Sequence, residues 1–447
     1  MKRLEILLLI FIIMPIYPLI SNSWIQVFST PDYSLQFVRI QCADSSNCFA
    51  IGRYRWLYPT VVKSQNGGRT WSIVLQDTVV DYNHPILYPT VVDMSYKTKN
   101  QCIITCDSGT ILTTYDGGDT WARKKIGTNR PLKGIDMLDS LNGLIITAKE
   151  LFKTTDGGQS WTEIKGIPLS DEDSIGIYGL ANVAMLSNNS YVLKSVIAFN
   201  PIKWELLKTE DGGVTWKKFD FPIHHGIANN FDIHHWFFID SLNGWAVSDE
   251  ETGLGDTEFL QIVHTSDGGL SWEVQFNDTV SSGNLHFYFG LDDIAFKNKN
   301  EGIAVGEDGS VMKTTNGGKL WFPEFNENIM NRGPLTINVC YAGDDILIAD
   351  YVSRIFRYDN TSGIEERDES VISNINNIYP NPARDYIQIA YDKYYGNEYI
   401  ITDMLGSIVG SGILTQDKIS ISALPIGMYI VILKDGINRI PMKFAKE

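Results

Sequence analysis

Six times between residues 66 and 321 the chain repeats one short pattern: Asp or Asn, two glycines, two further residues and a tryptophan. The copies begin at Asn66, Asp116, Asp156, Asp211, Asp267 and Asn316, and end at Trp71, Trp121, Trp161, Trp216, Trp272 and Trp321. Successive copies start 40 to 56 residues apart. A period near 50 belongs to a propeller or a repeat array, in which one supersecondary unit is stacked on the next. The pattern has a mechanical rationale of its own. The lead Asp or Asn can accept backbone N–H groups within a turn. The paired glycines can take positive φ without a Cβ penalty. The Thr or Ser that usually precedes the Trp can bond locally, and the Trp can pack between neighbouring units. The six turns are thus accounted for without a ligand.

The rest of each repeat predicts strands. Lys133 to Leu138 is apolar and ends in the turn Asp139-Ser140-Leu141-Asn142-Gly143; Leu144 to Thr147 and Leu151 to Thr154 follow, then the Asp156 turn. Residues 236 to 272 repeat this anatomy, and Asp44-Ser45-Ser46-Asn47 takes the place of the first turn near the chain start. Short apolar segments bounded by turn residues read as strands, and four per repeat make a propeller blade. A seventh blade is expected from Thr336 to Tyr341, Asp345 to Ala349 and Arg354 to Tyr358, with Trp24 to Phe28 supplying the missing fourth strand. The predicted fold is all-β: a seven-bladed β-propeller over residues 24–359, then a small Ig-like β-sandwich. Residues 360–373 are polar and acidic and read as a linker; residues 374–447 form the second domain.

Residues 1–23 read as a secretory signal peptide. Lys2 and Arg3 precede the apolar run Leu7 to Ile13, with Pro15, Pro18 and the small polar Ser21-Asn22-Ser23 after it. The run is shorter than a membrane span, so none is expected after cleavage. Export permits disulfides. Cys42 and Cys48 flank a turn and could pair across a hairpin, whereas Cys102 and Cys106 on one extended strand stand too far apart to bond each other. The cysteine spacings are not those of zinc sites. With 37 Lys and Arg against 53 Asp and Glu, the chain carries a net charge of −16. That balance argues against nucleic acid or an anionic membrane as the main partner.

The six turns resemble the Asp-box, or BNR repeat, of sialidases and sortilin-type receptors. The whole repeat, roughly residues 24 to 358, most resembles propellers of the photosystem II assembly and stability factor family. The resemblance implies architecture; nothing else in the chain points to photosynthesis. Leu320 replaces Thr in the sixth copy, and two copies begin with Asn, which weakens the turn bonding there. The C-terminal segment is similar to the type A sorting domain of the type IX secretion system. The matching pieces are Tyr379-Pro380-Asn381-Pro382-Ala383, Asp403-Met404-Leu405-Gly406, Leu424-Pro425-Ile426-Gly427-Met428-Tyr429 and Lys443 to Lys446. It implies passage through the periplasm, recognition by the type IX machinery, and release or attachment at the outer cell surface.

Sialidases also need an arginine triad, a Tyr-Glu pair and an Asp acid, with an Arg-Ile-Pro signature near the propeller start. Here Arg39-Ile40 lacks the Pro, and Arg439-Ile440-Pro441 falls in the sorting domain. Strand alternation puts both turn types of every blade on one rim and the long insertions on the other. Those insertions carry Tyr82, His84, Tyr88, Tyr178, His224, His225, His234, His235 and His286, candidates for contact with a protein or glycan ligand. His224-His225 and His234-His235, with Asp232 between them, do not follow a known ligand spacing, so neither a metal nor a cofactor is expected. The expected function is that of an exported binding, recognition or assembly module. The alternative is a glycoside hydrolase using rim carboxylates such as Asp173, Glu250, Glu251 or Asp256.

Overall fold

The protein is described by a computed structural model. It covers residues 23–30, 34–55, 58–76, 90–169, 179–199, 202–219, 231–251, 257–281, 291–306, 310–323, 337–359, 378–379, 383–389, 398–403, 408–415, 418–435 and 438–446. Among these the regular structure is β, apart from one 3₁₀ turn at Asp107–Gly109.

Among the described residues between 23 and 359 the strands form seven four-stranded antiparallel sheets. Six are built from strands consecutive in sequence. Their innermost strands are Leu35–Cys42, Val91–Thr98, Leu132–Met137, Gly179–Met185, Phe231–Phe238 and Asp293–Phe296, and these sheets are numbered one to six in that order. The seventh starts with Ile337–Ala342, Asp345–Asp350 and Arg354–Asp359 and takes its outer strand from Ser23–Ser29 at the other end of the chain. There Trp24 lies opposite Tyr358 in the ladder, with ring centroids 5.0 Å apart.

Each pair of neighbouring sheets encloses its own hydrophobic core. Phe37, Ile40, Ala50 and Val62 of sheet one meet Leu347, Ala349 and Ile355 of sheet seven. Phe49, Ile51 and Val61, on the other face of sheet one, meet Met94, Ile104 and Leu112 of sheet two. The alternation of side chains along a strand lets one sheet supply two interfaces. The series runs through five further cores and returns to the start, where Ile303, Val305 and Val311 of sheet six pack on Trp24, Ile348 and Phe356 of sheet seven. The sheets therefore form a closed ring, and closure leaves the innermost strands around a central axis.

The glycine-rich turns lock this ring together. In the second copy Thr114 Oγ1 donates to Asp116 Oδ1 and accepts the Gly118 N–H, each at 2.8 Å; Thr120 N–H and Oγ1–H close on the two carboxylate oxygens. The N–H of the first glycine donates to the carbonyl of the turn between the first two strands, as in Gly157 to Leu141 O and Gly268 to Leu242 O, so both turn types share one rim. The second glycine abuts the preceding sheet. A Cβ on Gly118 would lie 2.8 Å from the Phe49 ring, and one on Gly158 2.6 Å from Ile103. Trp71, Trp121, Trp161, Trp216, Trp272 and Trp321 each pack into the core between their own sheet and the one before. In the sixth copy Asn316 Oδ1 still accepts the Leu320 N–H at 3.0 Å, but Leu320 has no hydroxyl to donate.

The C-terminal part contains a three-stranded sheet (Ile378–Tyr379, Tyr386–Ile389, Lys418–Ser420) and a four-stranded sheet (Ile408–Ile413, Glu398–Asp403, Gly427–Asp435, Asn438–Lys446). Ala383, Ile387, Ile419 and Ile421 share a core with Ile401, Val431, Leu433 and Phe444. Tyr429 belongs to this core, stacks on Phe444 and donates its hydroxyl to Pro425 O at 2.9 Å; Leu424 packs against it. Gly427 opens the strand that carries Tyr429, and Tyr379 ends the first strand. Pro380, Asn381 and Pro382 lie outside the described residues.

Candidate functional site

The innermost strands place one residue per sheet at the same height along the axis. In sheets one to five the ladder slips by one residue at a common point, leaving Val38, Val92, Lys133, Ala181 and His234 as the extra residue of a β-bulge. The residue after each bulge pairs with the second strand: Arg39 opposite Ile51, Asp93 opposite Thr105, Gly134 opposite Ile146, Asn182 opposite Lys194 and His235 opposite Val247. Asp293 opposite Val305 and Asn338 opposite Ala349 hold the same position in sheets six and seven.

Four of these residues gather around Arg39. Its Nε donates to Asp93 Oδ1 at 2.9 Å, and its Nη1 lies 3.1 Å from His235 Nε2 and 3.4 Å from Asn338 Oδ1. Asp293 Oδ2 is 3.8 Å from the same Nη1, and its Oδ1 is 2.5 Å from His235 Nδ1. These contacts assign the imidazole. Arg39 is only a donor, so in the neutral imidazole Nε2 accepts from it, and the protonated Nδ1 faces Asp293 Oδ1. Burial works against charge on Arg39, but Asp93 and Asp293 outweigh it and hold the guanidinium pKa above its ordinary value. Burial likewise works against charge on Asp293. His235, Arg39 and the Val339 N–H outweigh it, and the carboxyl stays below the usual range.

The carboxylates also stitch sheet to sheet. Asp93 Oδ2 accepts from Ile135 N at 3.2 Å, Asp136 Oδ2 from Met185 N at 2.8 Å, and Asp293 Oδ2 from Val339 N at 3.0 Å. Both carboxylates of the cluster are thus occupied by cations and backbone donors. Asp293, held below the usual carboxylate range, is not arranged to hold a proton as a general acid, which calls for a carboxyl of raised pKa.

Above the cluster lies a cavity of about 610 Å³ lined by the innermost strands of all seven sheets. Tyr96, Asp136, Asn182, Trp236, Phe237 and Tyr341 contribute to its wall, and it reaches Asp240 and Ser241 on the turn-bearing rim. Lys97, 3.4 Å from Asp136, adds a half-exposed cation. The floor is therefore a set of completed ion pairs, and the wall mixes amide, carboxylate and aromatic groups.

The sequence candidates distribute unevenly over this geometry. His235 is in the cluster. His234, its neighbour, is the exposed bulge residue, so the bulge sends the two imidazoles different ways. Tyr82, His84, Tyr88, Tyr178, His224, His225 and His286 lie outside the described residues, as do Asp173 and Asp256; Glu250 and Glu251 end the second strand of sheet five. The sequence assigns the working surface to the insertion-bearing rim, much of which is not described, whereas the cavity formed by the described residues reaches the turn-bearing rim. Arg39, Asp93, Asp293 and Asn338 were not among the candidates. Counting five residues back from the first turn of each repeat, from Asp44, Thr98, Asp240 and Asn298, reaches Arg39, Asp93, His235 and Asp293.

With this geometry in view, likeness to known proteins divides the chain in two. Residues 377–447 match the family described as secretion system C-terminal sorting domain. Residues 79–172 match the family described as photosynthesis system II assembly factor YCF48. No curated protein matches the sequence. Among solved structures, YCF48 bound to D1 peptide is 17% identical with a TM-score of 0.53, covering 77% of this chain and 99% of that one. YCF48 from Cyanidioschyzon merolae is 15% identical with a TM-score of 0.51, covering 75% and 98%. PorZ, a surface component of the type IX secretion system of Porphyromonas gingivalis, is 14% identical with a TM-score of 0.51; the match covers 92% of this chain and 59% of that one. At these identities the structural likeness establishes a propeller fold. The chain thus joins a propeller, part of which matches the YCF48 family, to a C-terminal segment that matches the secretion system sorting domain. Among the described residues no helix is long and apolar enough to cross a membrane.

Proposed function

We propose that the propeller is an exported recognition module that binds a polypeptide segment at the mouth of the axial cavity, and that the C-terminal domain addresses it through the type IX secretion system to the cell surface or the medium. The observation that carries this reading is the cavity itself. A concave site of this size, walled by aromatic and amide groups over a fixed charged floor, offers shape and hydrogen bonding to a ligand. Arg39 Nη2 is the guanidinium nitrogen that the cluster bonds do not use, and it can donate to a carbonyl or carboxylate. A solved propeller of like fold was captured with a peptide, which supports a polypeptide as the class of ligand. A glycosidase working from this cavity would need one carboxyl to carry a proton, and Asp293 is held the other way.

The test is a peptide-array, glycan-array and glycosidase screen on the purified chain and on a variant whose cavity is filled, Asn182→Trp. Peptide binding that the variant loses, with an unchanged melting temperature, supports the reading. Binding confined to glycans, peptide binding indifferent to the filled cavity, or turnover abolished by one carboxylate substitution would overturn it.

A further inference from the structure

Cys42 and Cys48 stand opposite each other at the end of the first hairpin and are joined by a disulfide. Cys340, on the innermost strand of sheet seven, is a buried free thiol. Its Sγ lies 3.5 Å from Cys42 Sγ, across the junction between sheets one and seven and 298 residues away in sequence. Cys48 and Cys340 belong to the core between those two sheets, and Cys42 packs against it. Cys42 and Cys340 also line the axial cavity. A thiol in contact with one sulfur of a disulfide is the starting arrangement for thiol–disulfide exchange.

We propose that Cys42, Cys48 and Cys340 form an exchange centre that moves one disulfide between two linkages. The Cys340 thiol gives up its proton and the thiolate attacks Cys42 Sγ. The Cys42–Cys340 bond forms as the Cys42–Cys48 bond breaks. The electron pair of the broken bond leaves on Cys48 Sγ, which takes up a proton. One disulfide is lost and one gained, so no oxidant or reductant is consumed. The two linkages differ mechanically. The first ties residues six apart within one hairpin. The second joins sheet one to sheet seven, the sheet that the first strand of the chain completes. A cross-link closing a long loop constrains the unfolded chain more than one closing a short loop, so the exchange converts a local tie into a clasp on the ring. Burial, and then the charge of Asp293, push the Cys340 thiol far above its ordinary range. The thiolate is therefore scarce near neutrality, and the exchange quickens as pH rises.

The test uses the full chain, purified without reductant and incubated at neutral and at alkaline pH. Samples are quenched in acid, their free thiols alkylated, and their disulfides mapped by mass spectrometry. The expected result is a growing fraction of Cys42–Cys340 with Cys48 alkylated, appearing about tenfold faster per pH unit. Cys42–Cys48 as the sole linkage at every pH would overturn the proposal. So would new linkages to Cys102 or Cys106, which would mean scrambling through unfolding. A Cys48→Ser variant, confirmed as folded by near-ultraviolet circular dichroism, should form Cys42–Cys340 with oxidised glutathione; a folded variant that stays reduced would also sink the proposal.

Discussion

Arg39 Nη1 and His235 Nε2 lie 3.1 Å apart although 196 residues separate them in sequence. One sits in sheet one and the other in sheet five, so the contact spans the axis. The same guanidinium holds Asp93 of sheet two and Asn338 of sheet seven, and His235 holds Asp293 of sheet six. Five of the seven sheets are thus tied through one side chain and its immediate partners. The geometry depends on a planar donor with several N–H groups.

Arg39→Met should therefore cost about 3 kcal/mol, because it leaves the half-buried Asp93 and the buried Asp293 without their shared cation. Arg39→Lys should recover less than half of that, since an ammonium cannot reproduce the guanidinium fork. Equilibrium urea denaturation of the three proteins checks both statements. A loss below about 1 kcal/mol for Arg39→Met would mean that the axial network contributes little.

Gly118 presents a local prediction. Its φ is +92°, and a Cβ would stand 2.8 Å from the Phe49 ring of the preceding sheet. Gly118→Ala should destabilise by about 2–3 kcal/mol, from left-handed strain plus overpacking. Gly166 is the control: it also has positive φ, at +80°, but a Cβ there meets nothing within 4 Å. Gly166→Ala should cost about 1 kcal/mol, the backbone part alone. Thermal melts of the two variants separate the two contributions.

The contrast between turn and axis explains what was legible in the sequence. The turn is local: Asp116 bonds to Thr114 and Thr120, and Gly117 and Gly118 take positive φ for reasons carried by residues within five positions. Such a feature survives reading without coordinates, and its repetition gives the fold. The Arg39 cluster joins residues 54 to 299 positions apart. It also depends on a one-residue slip in each inner strand, and a slip of one residue sends a side chain to the other face. That slip puts His235 in the cluster and His234 on the surface, which the sequence pair His234-His235 does not distinguish. The insertions attracted attention by composition, whereas the cluster is visible only when the repeats are aligned on their first turn.

Closure of the ring gives a third prediction. Trp24 is 2% exposed and packs on Tyr358, and the strand it belongs to is the only link from the chain start to sheet seven among the described residues. Trp24→Ala should cost roughly 3–5 kcal/mol. Deleting residues 24–30 should lower the melting temperature sharply and expose the edge of Arg354–Asp359. Differential scanning calorimetry measures both; an unchanged transition in the deletion would mean that the ring closes without this strand.

The turn aspartates predict the acid limb of the stability curve. Hydrogen bonds from Ser160 hold the Asp156 carboxyl at about 2, and those from Thr215 hold Asp211 at about 2, against an ordinary value of 3.8. A carboxyl with a lowered pKa in the folded state contributes its full stabilisation above the ordinary value. It loses that contribution as pH falls toward the folded-state value. Stability should therefore be level down to about pH 4 and decline between pH 4 and pH 2. Asn66 and Asn316 already occupy the same position in two of the six turns, and both accept the backbone N–H four residues on. Asp156→Asn with Asp211→Asn should accordingly fold and melt less steeply with acid than the parent chain. Melting temperatures taken from pH 5 to pH 2 measure the difference; parallel curves would show that the lowered pKa values do not govern the acid response.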